Sequence, residues 1–128
     1  MIVAGVGCRR GATAPDIEAA IRAALERAGI AASALDCIAT AASKRAEPGI
    51  KAAAANFGLT IVLVPRAELE AAAPRAATHS ARVLALTGTP SVAEAAALAA
   101  AGPSARLIAT RLVSGAATCA LAASETAP

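Results

Sequence analysis

Aromatic side chains are almost absent from this sequence: of its 128 residues none is Trp or Tyr, and Phe57 is the single Phe. Proteins that bind single-stranded nucleic acid stack bases on aromatic rings, so the composition argues against a nucleic-acid partner. Charge is also sparse, at 16% of residues with a net charge of +3, and no run of Lys or Arg exceeds two. The sequence therefore does not support a polyanion-binding tail, whereas a pocket for a small anion needs only a few arginines.

Long apolar runs and paired cysteines are missing too. The longest uncharged stretch, 52–65, has 14 residues, whereas a membrane-spanning helix needs roughly 20. The N-terminus lacks the basic segment of a signal peptide. The three cysteines are far apart and form no CxxC pair, which predicts reduced thiols instead of disulfides or a zinc site. We therefore expect a cytoplasmic protein with no membrane partner, no metal and no cofactor.

The apolar residues fall into alternating strand-like and helix-like blocks. Although 57% of residues are hydrophobic, more than half of these are alanine, so the chain can build one core of modest side chains. We expect a single domain over residues 1–123 followed by a tail at 124–128. Strands are predicted at 2–6, 35–41, 59–64, 83–86, 105–113 and 116–122, and helices at 14–28, 48–57, 66–73 and 90–101.

This order of elements predicts an α/β fold with three layers, α/β/α. Its sheet should be mixed, with parallel crossovers first and a C-terminal antiparallel hairpin turning at Ser114-Gly115. Ligands of such sheets gather at the carboxyl ends of the strands, near helix N-termini. Three loops should meet there: 7–11, 43–47 and 88–91.

The first loop carries two adjacent arginines. Arg9 and Arg10 follow Cys8 and are bounded by Gly7 and Gly11. Two guanidiniums at a strand end can clamp carboxylates through paired hydrogen bonds, although adjacent arginines are also common on solvated surfaces. The glycine spacing misses the dinucleotide-binding fingerprint by one position, which argues against a nucleotide.

The other two loops offer further polar groups. Lys44 and Arg45 precede a helix and can bind anions beside its N-terminus. Glu47 suits three roles: a first-turn charge, an i+4 partner of Lys51, or a general base. Thr89 and Ser91 face a ligand or simply cap a helix, with Glu94 completing a capping box.

No catalytic set assembles from these residues. Cys8 would be a nucleophile only if a neighbouring arginine lowered its pKa. His79 stands alone in a weakly patterned region, without acidic neighbours. Glu47 and Cys8 are therefore the two catalytic candidates, and neither has a visible partner.

Four motifs occur in order along the chain and together resemble a known family. They are Gly5-x-Gly7-Cys8-Arg9-Arg10-Gly11, Lys44-x-x-Glu47-x-Gly49, Pro90-Ser91-Val92-x-Glu94-Ala95-Ala96-Ala97-Leu98 and Ala117-Thr118-Cys119-Ala120-Leu121-Ala122. Each is weak singly, but all four stand in register over residues 1 to about 123. The chain resembles the CobE family, which is similar to the C-terminal domain of CbiG in cobalamin (vitamin B12) biosynthesis.

The resemblance implies a compact α/β/α domain that acts in corrin-ring formation. In the larger CbiG proteins this domain accompanies an N-terminal portion, and the whole opens a ring lactone of a cobalt-precorrin and releases acetaldehyde. Because the shared motif begins here at residue 5, we expect a stand-alone domain without that hydrolase activity. Relatives often carry a lysine after the penultimate strand, where this chain has Arg111 and keeps the positive charge.

The resemblance and the residues agree on one kind of ligand. Precorrins are flat, apolar macrocycles fringed by carboxylates, so a binding protein should offer several cations around a surface of small residues. We expect that rim from Arg9, Arg10, Lys44, Arg45 and Arg111. The expected function is an accessory protein that carries a precorrin to other pathway enzymes. The alternatives are an enzyme acting on a precorrin and a non-catalytic interaction module.

Overall fold

The computed structural model describes residues 1–44, 47–76 and 92–124. The strands are β1 (Ile2–Cys8), β2 (Cys37–Ala41), β3 (Thr60–Val64), β4 (Arg106–Ser114) and β5 (Ala117–Ala123), and the helices are α1 (Ala14–Ala28), α2 (Pro48–Phe57), α3 (Arg66–Ala72) and α4 (Val92–Ala101). Short 3₁₀ turns lie at Ala32–Ala34, Ala42–Lys44 and Ala73–Arg75. The strand predicted at 83–86 falls outside the described residues.

The five strands of the described ranges form one mixed sheet in the order β3-β2-β1-β5-β4. β1 pairs in parallel with β2, and β2 with β3. β5 is antiparallel to both β1 and β4. The predicted α/β fold, with parallel crossovers followed by an antiparallel hairpin, is therefore confirmed.

Helices cover both faces of the sheet. On one face α1 and α2 bury Ile17, Ile21 and Ile50 against residues such as Ile38 and Leu121. On the other face α3 and α4 pack on the alternate side chains of the same strands. The three-layer prediction thus holds, and no helix of the described ranges is long and apolar enough to cross a membrane.

Alanine explains how closely the layers approach. In α4, Ala95, Ala96 and Ala97 are fully buried together with Leu98. At Gly5 of β1, an added Cβ would overlap the backbone of α4 at Ala93 and Ala97. Small side chains on both elements therefore let α4 lie almost directly on the central strand.

The predicted ranges of α1 and α2, 14–28 and 48–57, are confirmed, and local contacts explain where these helices begin and end. Thr13 caps α1, and its side-chain oxygen accepts a hydrogen bond from the backbone N–H of Asp16 while the Asp16 carboxylate accepts one from the N–H of Thr13. This reciprocal capping box satisfies two N–H groups that the helix leaves open. The helices α1 and α2 are followed by Gly29 and Gly58, which take left-handed backbone conformations as C-caps.

Most strands differ from the prediction by one or two residues at an end: β2 begins at Cys37 instead of 35, and β3, β4 and β5 each begin one residue later than predicted. The two differences that affect the candidate site are in β1 and at the hairpin turn. Gly7 and Cys8 are not in a loop: β1 continues through them because they pair with Thr118 and Ala117 of β5. The hairpin turn lies one residue later than predicted, at Gly115 and Ala116, since Ser114 still pairs with Ala117. Gly115 takes a positive φ of 58° there, which favours glycine at the first position of a two-residue turn.

Candidate functional site

The described parts of two predicted functional loops, 7–11 and 43–47, lie at the edge of the sheet where the parallel strands end, and the third loop, 88–91, falls outside the described residues. β1, β2 and β3 end there at Cys8, Ala41 and Val64. The β4–β5 turn lies at the same edge, because β5 starts opposite the end of β1. Val92, the first described residue of α4, lines a depression together with Ala41 and Val64. We call this the carboxyl edge.

The first loop, which in the structure spans residues 9–13 between β1 and α1, is held to the hairpin by its backbone. The N–H of Arg9 donates to the carbonyl oxygen of Ala116 at 2.8 Å, and the N–H of Ala12 returns to the carbonyl of Arg9 at 3.1 Å. The side chains of Arg9 and Arg10 are exposed. Neither forms an ion pair within the described part of the chain, so both guanidiniums stay available to an anion.

The two arginines open onto different depressions. Arg10 and Gly11 line one of about 610 Å³ together with Lys44 and Glu47. Arg9 lines another, of about 260 Å³, over the hairpin turn, where Val113 is 60% exposed. The structure therefore brings Arg10 to Lys44, but it does not combine Arg9 and Arg10 in a single pocket.

Glu47 links the two cation-bearing segments. Its Oε2 accepts a hydrogen bond from the backbone N–H of Gly11 at 3.1 Å. Its own N–H donates to the carbonyl of Lys44 at 3.0 Å. Two of the roles predicted from the sequence are wrong: Glu47 is the N-cap residue of α2 and not a charge in its first turn, and it forms no ion pair with Lys51 among the described residues. The carboxylate instead binds the backbone of the first loop.

Cys8 lies within electrostatic reach of Lys44 and Glu47. Partial burial raises its thiol pKa above the usual 9.0; Lys44 opposes that rise and Glu47 adds to it. A raised pKa leaves little thiolate at neutral pH, and the thiolate is the nucleophile. The surroundings thus favour an unreactive thiol at this position.

Glu94 has a contact that the sequence analysis missed. It is fully buried in α4, and its Oε2 accepts a hydrogen bond from the backbone N–H of Arg111 at 2.8 Å. The pairing of β4 with β5 is irregular between Ala109 and Leu112. Glu94 therefore binds the backbone of β4 at the point where its register with β5 shifts. The sequence held one signal of this contact: Glu94 is the single carboxylate of an alanine-rich helix, and a carboxylate that such a helix buries needs a polar partner.

The remaining predicted residues divide into two groups. Gly7 lies in β1, where its carbonyl accepts a hydrogen bond from Thr118 Oγ1 at 3.2 Å, and Arg111 is half-buried on β4. Arg45, Thr89, Ser91 and His79 lie outside the described residues. Within the described ranges, no group of three or more His, Cys, Asp or Glu side chains is placed to hold a metal ion.

Comparison with known proteins gives this site a context. The family described as cobalamin synthesis G C-terminus matches residues 2–122. The chain belongs to this family. A protein CobE from Sinorhizobium sp is 42% identical over 125 residues, which cover 98% of this chain and 81% of that protein.

Two solved structures extend the similarity to the fold. CobE, a protein from the cobalamin (vitamin B12) biosynthetic pathway, superposes with a TM-score of 0.90 at 36% identity, over 100% of this chain and 93% of that one. Cobalamin biosynthesis protein chiG from Agrobacterium tumefaciens gives a TM-score of 0.78 at 43% identity, over 98% of this chain and 100% of that one. This CobE and CbiG C-terminal family therefore places the chain in cobalamin biosynthesis.

Proposed function

We propose that the chain binds a carboxylate-rich precorrin at the carboxyl edge and hands it to other cobalamin-pathway enzymes in the cytoplasm. The observation that carries this proposal is the depression of about 610 Å³ that Arg10 and Lys44 line together. These cations follow different strands, β1 and β2, so they can meet different carboxylates of one macrocycle. The family's place in cobalamin biosynthesis supplies the class of ligand.

The chemistry of the edge suits such a ligand. Arginine binds carboxylates through paired, charge-assisted hydrogen bonds, and lysine adds a mobile point charge. Small residues form part of the lining of both depressions, Gly11 in that of Arg10 and Gly115 with Ala116 in that of Arg9. A flat ring can approach a surface of this kind closely. Arg9 then meets carboxylates on the hairpin side, and Arg10 with Lys44 meets those on the α2 side.

Binding without turnover is the activity that these contacts favour. The pKa of the Cys8 thiol is raised, which works against nucleophilic attack. The carboxylate of Glu47 is engaged by the Gly11 N–H. An enzyme acting on a precorrin would need groups beyond these two.

The test is an absorbance titration of the purified protein with hydrogenobyrinate and late-pathway precorrins. We expect a saturable spectral shift that weakens with added salt, because screening reduces attraction between exposed charges. The double variant Arg9→Ala with Arg10→Ala should bind at least about tenfold more weakly, which is roughly 1.4 kcal/mol.

The matched control removes the same charge elsewhere. Arg22 and Arg27 are exposed on α1, and the double variant Arg22→Ala with Arg27→Ala should bind like the wild type. An equal loss of ligand affinity in both double variants would mean that net charge, and not the position of Arg9 and Arg10, causes the loss. The absence of any shift would refute the binding proposal, and a product of changed mass formed over many cycles would establish an enzyme instead.

A further inference from the structure

We propose that Glu47 is a positioning residue that fixes the first loop relative to Lys44, and so sets the spacing of the cations that meet the ligand. The inference rests on the proposed function and deepens it. It concerns a group that the ligand need not touch, because Glu47 acts through the backbone of two neighbouring segments.

The first observation is how Glu47 uses its side chain. It occupies the N-cap position of α2, yet its side chain makes no hydrogen bond to that helix. An N-cap side chain normally accepts a hydrogen bond from the second or third N–H of its own helix. Glu47 instead directs Oε2 to the N–H of Gly11, which is 36 residues away in the sequence.

The second observation is that the same residue holds both cation-bearing segments. Its N–H donates to the carbonyl of Lys44, while its carboxylate holds the residue next to Arg10. Two positions further along, an added Cβ at Gly49 would overlap the carbonyl oxygen of Ala12. The start of α2 is therefore in direct contact with the first loop, and Glu47 supplies the polar part of that contact.

If Glu47 acted only through its charge, it would weaken ligand binding, whereas a positioning residue strengthens it. The carboxylate adds a negative charge beside Arg10 and Lys44, and such a charge repels an anionic ligand. If charge were its main influence, then removing it would tighten binding. If Glu47 positions the loop, then losing its hydrogen bond weakens binding even though an unfavourable charge disappears, so the two explanations differ in sign.

The experiment compares two substitutions at this position. Glu47→Ser keeps an N-cap side chain but is too short to reach Gly11, whereas Glu47→Gln keeps an acceptor oxygen and loses the charge. In the free protein, Glu47→Ser should speed amide hydrogen exchange at Gly11 about fivefold, as expected for one lost hydrogen bond. It should also weaken hydrogenobyrinate binding about fivefold. Glu47→Gln should restore both to within about twofold.

The matched control is Glu26→Ser, which removes an equal charge from an exposed position on α1 and should leave Gly11 exchange unchanged. If the wild-type protein binds the corrinoid, two results in Glu47→Ser would overturn the positioning role and leave the proposed function intact. One is unchanged amide exchange at Gly11, and the other is binding as tight as that of the wild type or tighter. Failure of the wild-type protein to bind any corrinoid would refute the proposed function and, with it, the ligand role of Glu47.

Discussion

The two edges of the sheet use charged side chains differently. At the amino edge, where β1 starts, the Asp36 carboxylate accepts a hydrogen bond from the N–H of Ile2 at 2.7 Å. Arg75 donates there to the carbonyls of Gly102 and Ala105 at 3.1 and 3.2 Å. At the carboxyl edge the guanidiniums of Arg9 and Arg10 are exposed, with no ion pair among the described residues.

The direction of the helices accounts for the difference. α1, α2 and α3 each follow a parallel strand, so their N-termini lie at the carboxyl edge. Their partial positive charge adds to the cations there and favours anions. The C-terminus of α4 lies at the amino edge, where Arg75 donates hydrogen bonds to the carbonyls of Gly102, Pro103 and Ala105 in the segment that follows the helix. The charged side chains of the amino edge are bound by the protein itself, whereas the carboxyl edge keeps exposed guanidiniums, and this is where we propose that the ligand binds.

The largest expected effects are losses of unfolding free energy, caused by one substitution at each edge of the sheet. Gly49→Ala would force α2 away from the Ala12 carbonyl, and overpacking of this kind costs roughly 1–3 kcal/mol of unfolding free energy. Because the first loop moves as well, hydrogenobyrinate binding should fall with it. Arg75→Ala removes a side chain that holds carbonyls of the amino edge and should cost about 1–2 kcal/mol while leaving ligand affinity unchanged.

Urea denaturation and the absorbance titration, performed on both variants, measure these two quantities. The comparison fails if Arg75→Ala weakens binding as much as Gly49→Ala does. It also fails if Gly49→Ala lowers stability but binds the ligand like the wild type.

A smaller effect is expected in the reactivity of Cys8. Because its pKa lies above 9.0, alkylation by iodoacetamide should be slow at neutral pH and should still be rising at pH 9, as thiolate forms. Lys44 lowers this pKa and Glu47 raises it, so Lys44→Gln should slow the reaction and Glu47→Gln should speed it.

Mass spectrometry of the modified peptide resolves Cys8 from the other thiols. Cys119 is fully buried, and burial raises its pKa to about 12, so it serves as an internal control that reacts only on unfolding. A Cys8 rate that reaches its plateau below pH 8 would contradict the burial argument and would revive Cys8 as a nucleophile.

Local features of the fold were predictable because their causes are local. Thr13 caps the start of α1 and Gly29 caps its end, each through contacts within one turn of the helix. The apolar period of that helix is visible in the sequence. The extension of β1 through Cys8 was not predictable, since it depends on pairing with a strand more than a hundred residues away.

The candidate site follows the same division. Its place at the carboxyl edge, with Arg10 and Lys44, could be predicted from the alternation of strands and helices. The hydrogen bonds that Glu47 accepts from Gly11 and that Glu94 accepts from Arg111 could not be predicted, because each joins segments that only the folded chain brings together. A sequence pattern also could not show that Arg9 and Arg10 open onto separate depressions.

The contrast between the two edges is tested most directly by mapping backbone amide shifts in an NMR titration with hydrogenobyrinate. Saturable shifts are expected at the carboxyl edge, at Arg9, Gly11, Lys44 and Gly115, while the amides of Gly58 and Gly102 stay unchanged. Shifts centred on the amino edge would contradict the assignment of the ligand to the carboxyl edge, as would a protein whose spectrum does not respond to the corrinoid.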